Sequence, residues 1–259
     1  MSFFSAFKIK FVILFSALLF CFASISGYCQ KNETEISFYN PNKKFSVSVY
    51  GTFISSSQLQ NNPKSSDPIE KNAMTTLKGA LGYGAELNFK PSLGNLDLTF
   101  FLSTEYFAAQ KNDLYFRILQ DTLSAILLVA EQFHMVPVEA GVKWDLPLSS
   151  NRVKVYIGGG GGLYFGDRIR TIANNLVSNT TYKKANFSLN ILSGVDYFIG
   201  KNISANFEFK FREASFDVES TFTQNTININ GQEFKLDNPV YSRIIVDGVR
   251  LSLGLRYSF

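Results

Sequence analysis

Gly248–Phe259, with the sequence GVRLSLGLRYSF, decides the fold class of this chain. Successive side chains of a β-strand point to opposite faces, so the stretch predicts one apolar face and one polar face. The apolar face consists of Val249, Leu251, Leu253, Leu255, Tyr257 and Phe259, and the last residue is aromatic. The other face carries only Gly, Arg and Ser. This alternation predicts an extended strand whose two faces meet different surroundings.

The same alternation recurs in seven segments upstream. They begin near residues 45, 77, 96, 136, 153, 186 and 204. In the last of them Phe207, Phe209 and Phe211 share one face, and Glu208 and Lys210 share the other. Each segment reaches or approaches the ~9–11 residues with which a tilted strand crosses a bilayer. The pattern predicts an all-β protein, an eight-stranded antiparallel up-and-down transmembrane β-barrel over residues 45–259, whose last strand closes onto the first.

The connections between these segments alternate in length. Three are short and contain turn residues: 91–95, 147–152 and 199–202. Four are long and are predicted to be polar loops: 55–76, 111–131, 167–184 and 213–241. Short periplasmic turns and long extracellular loops are typical of outer-membrane barrels. Aromatic residues at the short-turn ends are predicted to form an interfacial girdle: Phe89, Trp144, Tyr197 and Tyr257, with Phe45 and Phe259 beside them.

Residues 1–29 predict a secretory signal peptide. Lys8 and Lys10 precede an apolar run that is shorter than the ~20 residues of a spanning helix. We expect cleavage just before Gln30, which removes both cysteines and leaves a short periplasmic segment over residues 30–44. The expected location is the bacterial outer membrane. The predicted signal for the barrel-assembly machinery consists of Leu251, Leu253, Leu255, Tyr257 and Phe259.

Two tracts resemble a known family. Met135–Trp144 (MVPVEAGVKW) is similar to the IPL-x-LG-x-KY strand of the Bacteroidota outer-membrane β-barrel domain family, which includes PorT-like and OmpX-like barrels. Tyr156–Tyr164 (YIGGGGGLY) resembles the glycine-rich strand that follows there. The resemblance covers nearly the whole mature chain and implies the fold and the location. Its motifs are structural and imply no catalytic residues; a secretion-accessory role follows by analogy only.

Strand alternation also places charged side chains inside the barrel. Seven cations are predicted to point inward: Lys78, Lys143, Lys154, Lys210, Arg212, Arg250 and Arg256. The predicted inward anions are Glu86, Glu105, Glu139, Asp145, Asp196 and Glu208. The interior of an eight-stranded barrel is just wide enough for side chains to fill, and unpaired buried charges are costly. The sequence therefore favours a paired charge plug over a conducting pore, and the balanced charge does not favour an ion-selective ring.

Two of the long connections carry strand patterns of their own. Thr226–Phe234 places Asn-Gly between alternating apolar residues, a strong hairpin signal, so the last two strands are expected to continue above the membrane. Tyr115–Leu119 and Leu123–Val129 flank Gln120-Asp121 and predict extensions of strands three and four. An exposed edge of such a sheet binds a partner by strand addition. A polar loop that keeps its edge covered is the equal alternative.

Three features resemble ligand or catalytic sites in part. Gly158–Gly162 lacks the Lys-Ser or Lys-Thr of a phosphate loop, so the run is expected to permit a bend or close packing. His134 is expected at the outer interface, where some barrels that modify lipid A carry a catalytic His and Ser. No Ser alternates with His134, so interfacial anchoring is favoured. Glu86 and Glu139 have basic neighbours, which favours structural pairing, and no cluster has metal-ligand spacing.

The sequence therefore predicts a non-enzymatic barrel without cofactor, acting as a structural or surface-binding protein through its extracellular loops. The alternatives are a narrow channel for small solutes, a lipid A-modifying enzyme and a secretion-accessory barrel. The expected partners of the monomer are outer-membrane lipid, the assembly machinery and an extracellular or envelope protein. Nucleic acid is not favoured, because the net charge falls from +4 to +2 once Lys8 and Lys10 leave with the signal peptide.

Overall fold

The computed structural model describes residues 43–259 apart from residues 78, 93–95, 121–122, 148–149, 151, 173–175, 230 and 237. Three predictions lie outside the described residues: the signal peptide 1–29, most of the segment 30–44, and the inward position of Lys78. In the described part, no helix is long and apolar enough to cross a membrane.

Strands dominate the described chain. In chain order the elements are β1 (Phe45–Ile54), β2 (Ser57–Gln60), α1 (Pro68–Lys71), β3 (Met74–Leu77), β4 (Ala80–Phe89), β5 (Leu98–Gln120), β6 (Leu123–Asp145), β7 (Val153–Ile172), β8 (Leu176–Lys184), β9 (Asn186–Phe198), β10 (Ile203–Phe222), β11 (Thr226–Ile229), β12 (Gln232–Lys235) and β13 (Val240–Ser258). Phenylalanine, tyrosine and β-branched residues are frequent in these segments, and they fit a pleated surface well.

Eight of the described strands close into a ring in the order β1-β4-β5-β6-β7-β9-β10-β13, with each strand antiparallel to the next. The ring closes where β13 pairs with β1, from Ser46 opposite Ser258 to Ile54 opposite Arg250. Closure satisfies backbone groups that lipid cannot hydrogen-bond. The predicted eight-stranded antiparallel up-and-down transmembrane barrel is confirmed.

The long strands exchange the polarity of their two faces partway along their length. In the half of β10 near the short turns, Phe207 faces outward and Glu208 is buried inside. Beyond Glu213 the apolar side chains are inside, as Phe216 shows, and the outer face carries polar residues such as Asp217. The alternation itself continues without a break. Lipid therefore surrounds the lower half of β10 and water the upper half, and the strand leaves the membrane near Glu213.

The four long connections contain more strand than the extensions and the hairpin that were predicted within them, so the prediction of polar loops is wrong for the rest of this strand. β5 and β6 run through 111–131, β7 and β8 occupy most of 167–184, and β10 to β13 occupy most of 213–241. β2 and most of β3 lie within 55–76. The physical reason is the exchange of polarity: a search for one continuous apolar face ends each strand at the membrane surface. The predicted extensions of strands three and four and the hairpin β11–β12 are present.

The interior is filled in layers rather than by charge alone. The charge network described below lies nearest the short turns. An apolar cluster lies above it: Ile54, Leu59, Leu77, Ala80, Phe107, Ala109, Phe133, Met135, Tyr164, Ala214, Phe216, Val218, Ile244 and Val246. A second apolar cluster lies near the top: Leu127, Val129, Ile172, Phe222, Phe234 and Leu236. Because Phe234 belongs to β12, the hairpin β11–β12 packs onto the upper interior. The predicted charge plug is therefore only the lower part of a taller core.

The glycine run Gly158–Gly162 lies inside β7. Gly162 stands opposite Glu139 on β6. A Cβ at Gly162 would lie 2.6 Å from the Val138 carbonyl oxygen and 2.8 Å from the Glu139 Cγ atom. The absence of a side chain there makes room for Glu139 inside the barrel, so close packing accounts for this glycine.

Gly162→Val is expected to prevent folding, because its side chain overlaps Glu139 and the β6 backbone. Gly200→Ala is the matched control, since a Cβ at Gly200 meets nothing within 4 Å. The measurement is migration of the unboiled protein on a detergent gel, where a folded barrel shifts on heating. A wild-type shift in Gly162→Val would contradict the tight contact.

Candidate functional site

The interior charges converge on Glu208. Its carboxylate accepts hydrogen bonds from Lys143 (2.9 Å), Arg250 (2.9 Å) and the Tyr156 hydroxyl (3.2 Å). The Lys210 ammonium lies 3.8 Å away. All five side chains are buried. One carboxylate on β10 thereby ties β6, β7 and β13 together across the lumen.

The other charges that were predicted to point inward are paired in the same way. The pairs are Lys143–Glu86 (2.6 Å), Lys210–Glu139 (2.6 Å), Arg250–Glu105 (2.7 Å), Arg212–Glu105, Arg212–Glu139 (3.5 Å), Arg256–Asp196, Arg256–Glu86 (3.3 Å) and Lys154–Asp145 (2.5 Å). Among the described residues, this network contains six cations and six anions, each with an opposite partner. Mutual pairing offsets the cost of burying them.

Burial of the network shows that the described lumen is packed with side chains. Glu105 is 4% exposed, Lys143 is 2% exposed and Arg250 is 1% exposed. The walls of a water-filled pore would remain in contact with solvent. Above these charges the rings of Phe133 and Phe216 belong to the apolar cluster and add a second, dry barrier.

Strand alternation did not single out the three tyrosines that pack among the charges. The Tyr164 hydroxyl donates to Glu139. The Tyr50 ring lies 4.7 Å from the Arg250 guanidinium carbon, within cation–π range. On an otherwise polar face an aromatic residue looks like an interruption of the pattern. The position of each tyrosine in the alternation was the signal that could have identified it, because Tyr156 and Tyr164 alternate in step with the inward-pointing residues of β7.

A second buried charge cluster lies above the membrane. Glu131 accepts hydrogen bonds from Arg168 Nε (2.9 Å) and Nη2 (2.8 Å) and from Arg170 Nε (2.5 Å). Arg170 also donates to Asn61 (2.8 Å), and Arg168 donates to Ser242. Burial raises the pKa of Glu131, but the two arginines outweigh burial and hold that pKa below its usual range. Burial and the neighbouring Arg168 lower the pKa of Arg170 to about 10. Sequence reasoning missed this cluster because it assigned these segments to loops.

His134 lies on the outer face at the upper edge of the apolar band. With its proton on Nδ1 it donates to Asp167 (2.7 Å), and its Nε2 accepts from the Gln132 amide (3.0 Å). Its ring stacks on Tyr106 with centroids 5.9 Å apart. Burial raises the pKa of Asp167, but hydrogen bonds from His134 and Lys183 lower it further than burial raises it. Both ring nitrogens are thus occupied, and neither contacts a hydroxyl group in the described chain.

The predicted girdle residues lie on the outer face near the short turns. Phe89, Trp144, Tyr197 and Tyr257 are 40%, 45%, 49% and 50% exposed. Of the predicted assembly signal, Leu253, Leu255, Tyr257 and Phe259 are exposed outward and Leu251 is half-buried. Such an apolar outer band is the surface that contacts lipid. No group of three His, Cys, Asp or Glu side chains among the described residues is arranged to hold a metal ion.

The outer face of the hairpin β5–β6 becomes apolar again far above the membrane, beyond the polar residues Gln132 and His134. Tyr115 is 78% exposed, and Ile126 and Leu128 are 70% and 45% exposed. Leu128 stands directly opposite Tyr115. We call these three residues the upper hairpin patch. On the same hairpin, β5 pairs with β4 only as far as Phe107, opposite Gly82, and its described residues beyond that point pair only with β6.

No family model and no curated protein matches the chain. Several solved structures are similar. OprG of Pseudomonas aeruginosa is 12% identical with a TM-score of 0.54, and the match covers 84% of this chain and 96% of that one. Neisserial surface protein A is 13% identical (TM-score 0.45, covering 83% and 97%), and Ail of Yersinia pestis is 13% identical (TM-score 0.40, covering 84% and 99%). The likeness to OprG shows the fold alone, that of a small outer-membrane barrel.

Glu208→Gln is expected to lower the free energy of unfolding by about 3–5 kcal/mol, because it leaves Lys143 and Arg250 short of a buried counter-charge. The measurement is urea unfolding in detergent, followed by the fluorescence of Trp144, the single tryptophan.

The matched control is Asp217→Asn, which breaks the partly exposed pair with Arg243 on the outer face. We expect it to cost less than about 1 kcal/mol. Equal losses in the two variants would contradict a central role for Glu208 in the interior network.

Proposed function

We propose that this chain works in a bacterial outer membrane as a non-enzymatic, non-conducting barrel that binds a protein through its extracellular hairpin β5–β6. The upper hairpin patch carries the proposal. Tyr115 lies roughly 30 Å beyond Tyr106 along a strand that rises about 3.4 Å per residue. Tyr106 is at the upper edge of the apolar band, so lipid does not reach the patch. Clustered apolar side chains exposed to water mark a protein contact site.

The unpaired part of β5 suits the same kind of partner. Beyond Phe107 the side of β5 away from β6 has no strand partner in the described chain. A strand from another protein pairs with such an edge through its main chain, while side-chain contacts provide specificity. Lys111 donates to the Thr76 carbonyl across the gap (3.0 Å), and the irregular pairing between Lys111 and Leu114 interrupts the edge. From Leu114 to the tip of the hairpin, the regular pairing of β5 with β6 resumes.

The packed interior supports a closed barrel over a narrow channel for small solutes. The charge network has no excess of one sign to select an ion, and the apolar cluster with Phe107, Phe133 and Phe216 lies in the path of any polar solute. The arrangement around His134 supports a non-enzymatic role over lipid A modification, because Asp167 and Gln132 occupy both of its ring nitrogens.

The proposal also includes the family to which the chain belongs. The tracts Met135–Trp144 and Tyr156–Tyr164 favour membership of the Bacteroidota outer-membrane barrels that include PorT-like proteins, with export through the signal peptide 1–29. A secretion-accessory role is compatible with the upper hairpin patch, since an accessory barrel also binds proteins at the cell surface. It differs from another surface-binding role only in the identity of the bound protein.

The wild-type barrel is expected to be electrically silent in planar bilayers, because charged and apolar layers both fill its lumen. Single-channel recording checks this, with a porin reconstituted in parallel to show that insertion and recording work. Reproducible current steps from the pure, folded chain would instead support the channel.

A photo-crosslinking residue at Ile126 is expected to give a discrete adduct with one protein on intact cells. The same residue at Asn179, which is exposed on β8, is the control and is expected to give none. Adding Tyr115→Lys and Leu128→Lys should abolish the adduct at Ile126, because lysine removes the apolar contact. Absence of an adduct at Ile126, or an equal one at Asn179, would refute this surface as the binding site.

A further inference from the structure

The periplasmic end of the barrel holds a small, partly open cavity of about 60 Å³. About 10–15 Å³ of such space admits one water molecule, so a group of several heavy atoms fits. Basic residues that line it are Lys43, Lys44, Lys90, Lys154, Lys201 and Arg256. The acidic residues that line it are Asp145 and Asp196. This periplasmic cavity therefore has an excess of positive charge, in contrast to the balanced network above it.

Three of the cations are neutralised by neighbours. Lys90 pairs with Asp97 at 2.9 Å and with Asp145 at 3.1 Å, and Lys154 pairs with Asp145 at 2.5 Å. Arg256 pairs with Asp196. Both acidic residues of the lining, Asp145 and Asp196, are therefore already in ion pairs.

The other three cations have no carboxylate within ion-pair distance among the described residues. Lys43 donates to the carbonyl oxygens of Lys201 (2.9 Å) and Ser258 (3.0 Å) and to the Asn202 side chain. These neutral acceptors hold the ammonium in place and leave its charge uncompensated. Lys44 and Lys201 are exposed at the rim. The excess charge is thus concentrated at the mouth of the periplasmic cavity.

Asn88 supplies an independent sign of a ligand in the cavity wall. It is 4% exposed, and neither its side-chain nitrogen nor its side-chain oxygen has a hydrogen-bond partner in the described chain. Asn88 lines the periplasmic cavity. Buried polar groups in proteins are nearly always hydrogen-bonded. A polar group from outside the chain would complete the bonding of this amide.

We propose that the periplasmic cavity binds a phosphate group. Lysine ammonium groups bind phosphate as point charges, and the Asn88 amide adds a neutral donor from the wall. The cavity lies at the level of the girdle residues Phe45, Phe89 and Tyr257, which is where the headgroups of the inner leaflet lie. The phosphate comes either from such a headgroup or from free phosphate in the periplasm. Both sources share the same chemistry at the site.

The test uses the full mature chain, folded in a detergent that contains no phosphate. Calorimetric titration with inorganic phosphate is expected to show one site. Lys44→Gln combined with Lys201→Gln should weaken that site at least tenfold, because it removes two uncompensated charges at the rim. Lys64→Gln combined with Lys71→Gln removes two charges at the extracellular end and is expected to change the affinity less than twofold.

Asn88→Asp tests the wall, since it keeps the shape of the side chain and adds a negative charge. It is expected to abolish phosphate binding while the gel shift shows a folded barrel. Should this buried variant fail to fold, the exposed lysine pair carries the test. Native mass spectrometry separates the two sources: a phospholipid that co-purifies with wild type and is lost in the lysine variant identifies a headgroup, and calorimetric binding alone identifies free phosphate.

Three results would overturn the proposal. The first is that wild type neither binds phosphate nor retains a phospholipid. The second is that acetate binds as tightly as phosphate, which would assign the cavity to carboxylates. The third is that the Lys64 and Lys71 variant weakens binding as much as the rim variant. The loss of affinity would then follow from the net charge of the protein and not from the cavity.

Discussion

The narrowness of an eight-stranded ring is the constraint on which the rest of this structure depends. Side chains from opposite walls meet inside such a ring, and little water is left to solvate a charge. Each buried charge needs an opposite partner within reach. Glu208 on β10 meets Lys143 from β6 and Arg250 from β13 in this way. Because β13 is a neighbour of β10 and β6 is not, the contact with Lys143 braces two strands that are not neighbours in the sheet. The network thereby stabilises the cross-section of the barrel while it fills it.

The number, order and lower parts of the strands were predictable from the sequence. Wherever lipid lies outside, period-2 alternation identifies the strand, as Gly248–Phe259 does. The heights of the strands were not predictable in this way. Above Glu213, Phe216 and Asp217 keep the alternation but exchange environments. A pattern shows that two faces differ; it does not show whether lipid or water lies outside, so the strands were predicted too short.

The sequence predicted which charged side chains point into the barrel, but not the level along the barrel axis at which each of them lies. Alternation placed Glu139 and Lys210 inside, yet only the barrel's stagger brings them within 2.6 Å of each other. The cluster around Glu131 was missed because it lies above the polarity exchange. The upper hairpin patch was identified only as strand, since an outward Tyr115 has the same pattern in lipid and in water. Its meaning depends on its distance from the membrane, which no local pattern contains.

Continuity of β5 and β6 has a mechanical consequence. Leu98–Gln120 and Leu123–Asp145 each run from the periplasmic girdle to the tip of the hairpin. A flexible tether would let a protein bound at the proposed site swing freely, whereas a hydrogen-bonded ladder that is rooted in the bilayer would hold it at one height and one angle. The hairpin would then act as a rigid support that is fixed in the barrel wall. A force on a protein bound at the proposed site would be transmitted down the two strands and resisted by the whole embedded wall.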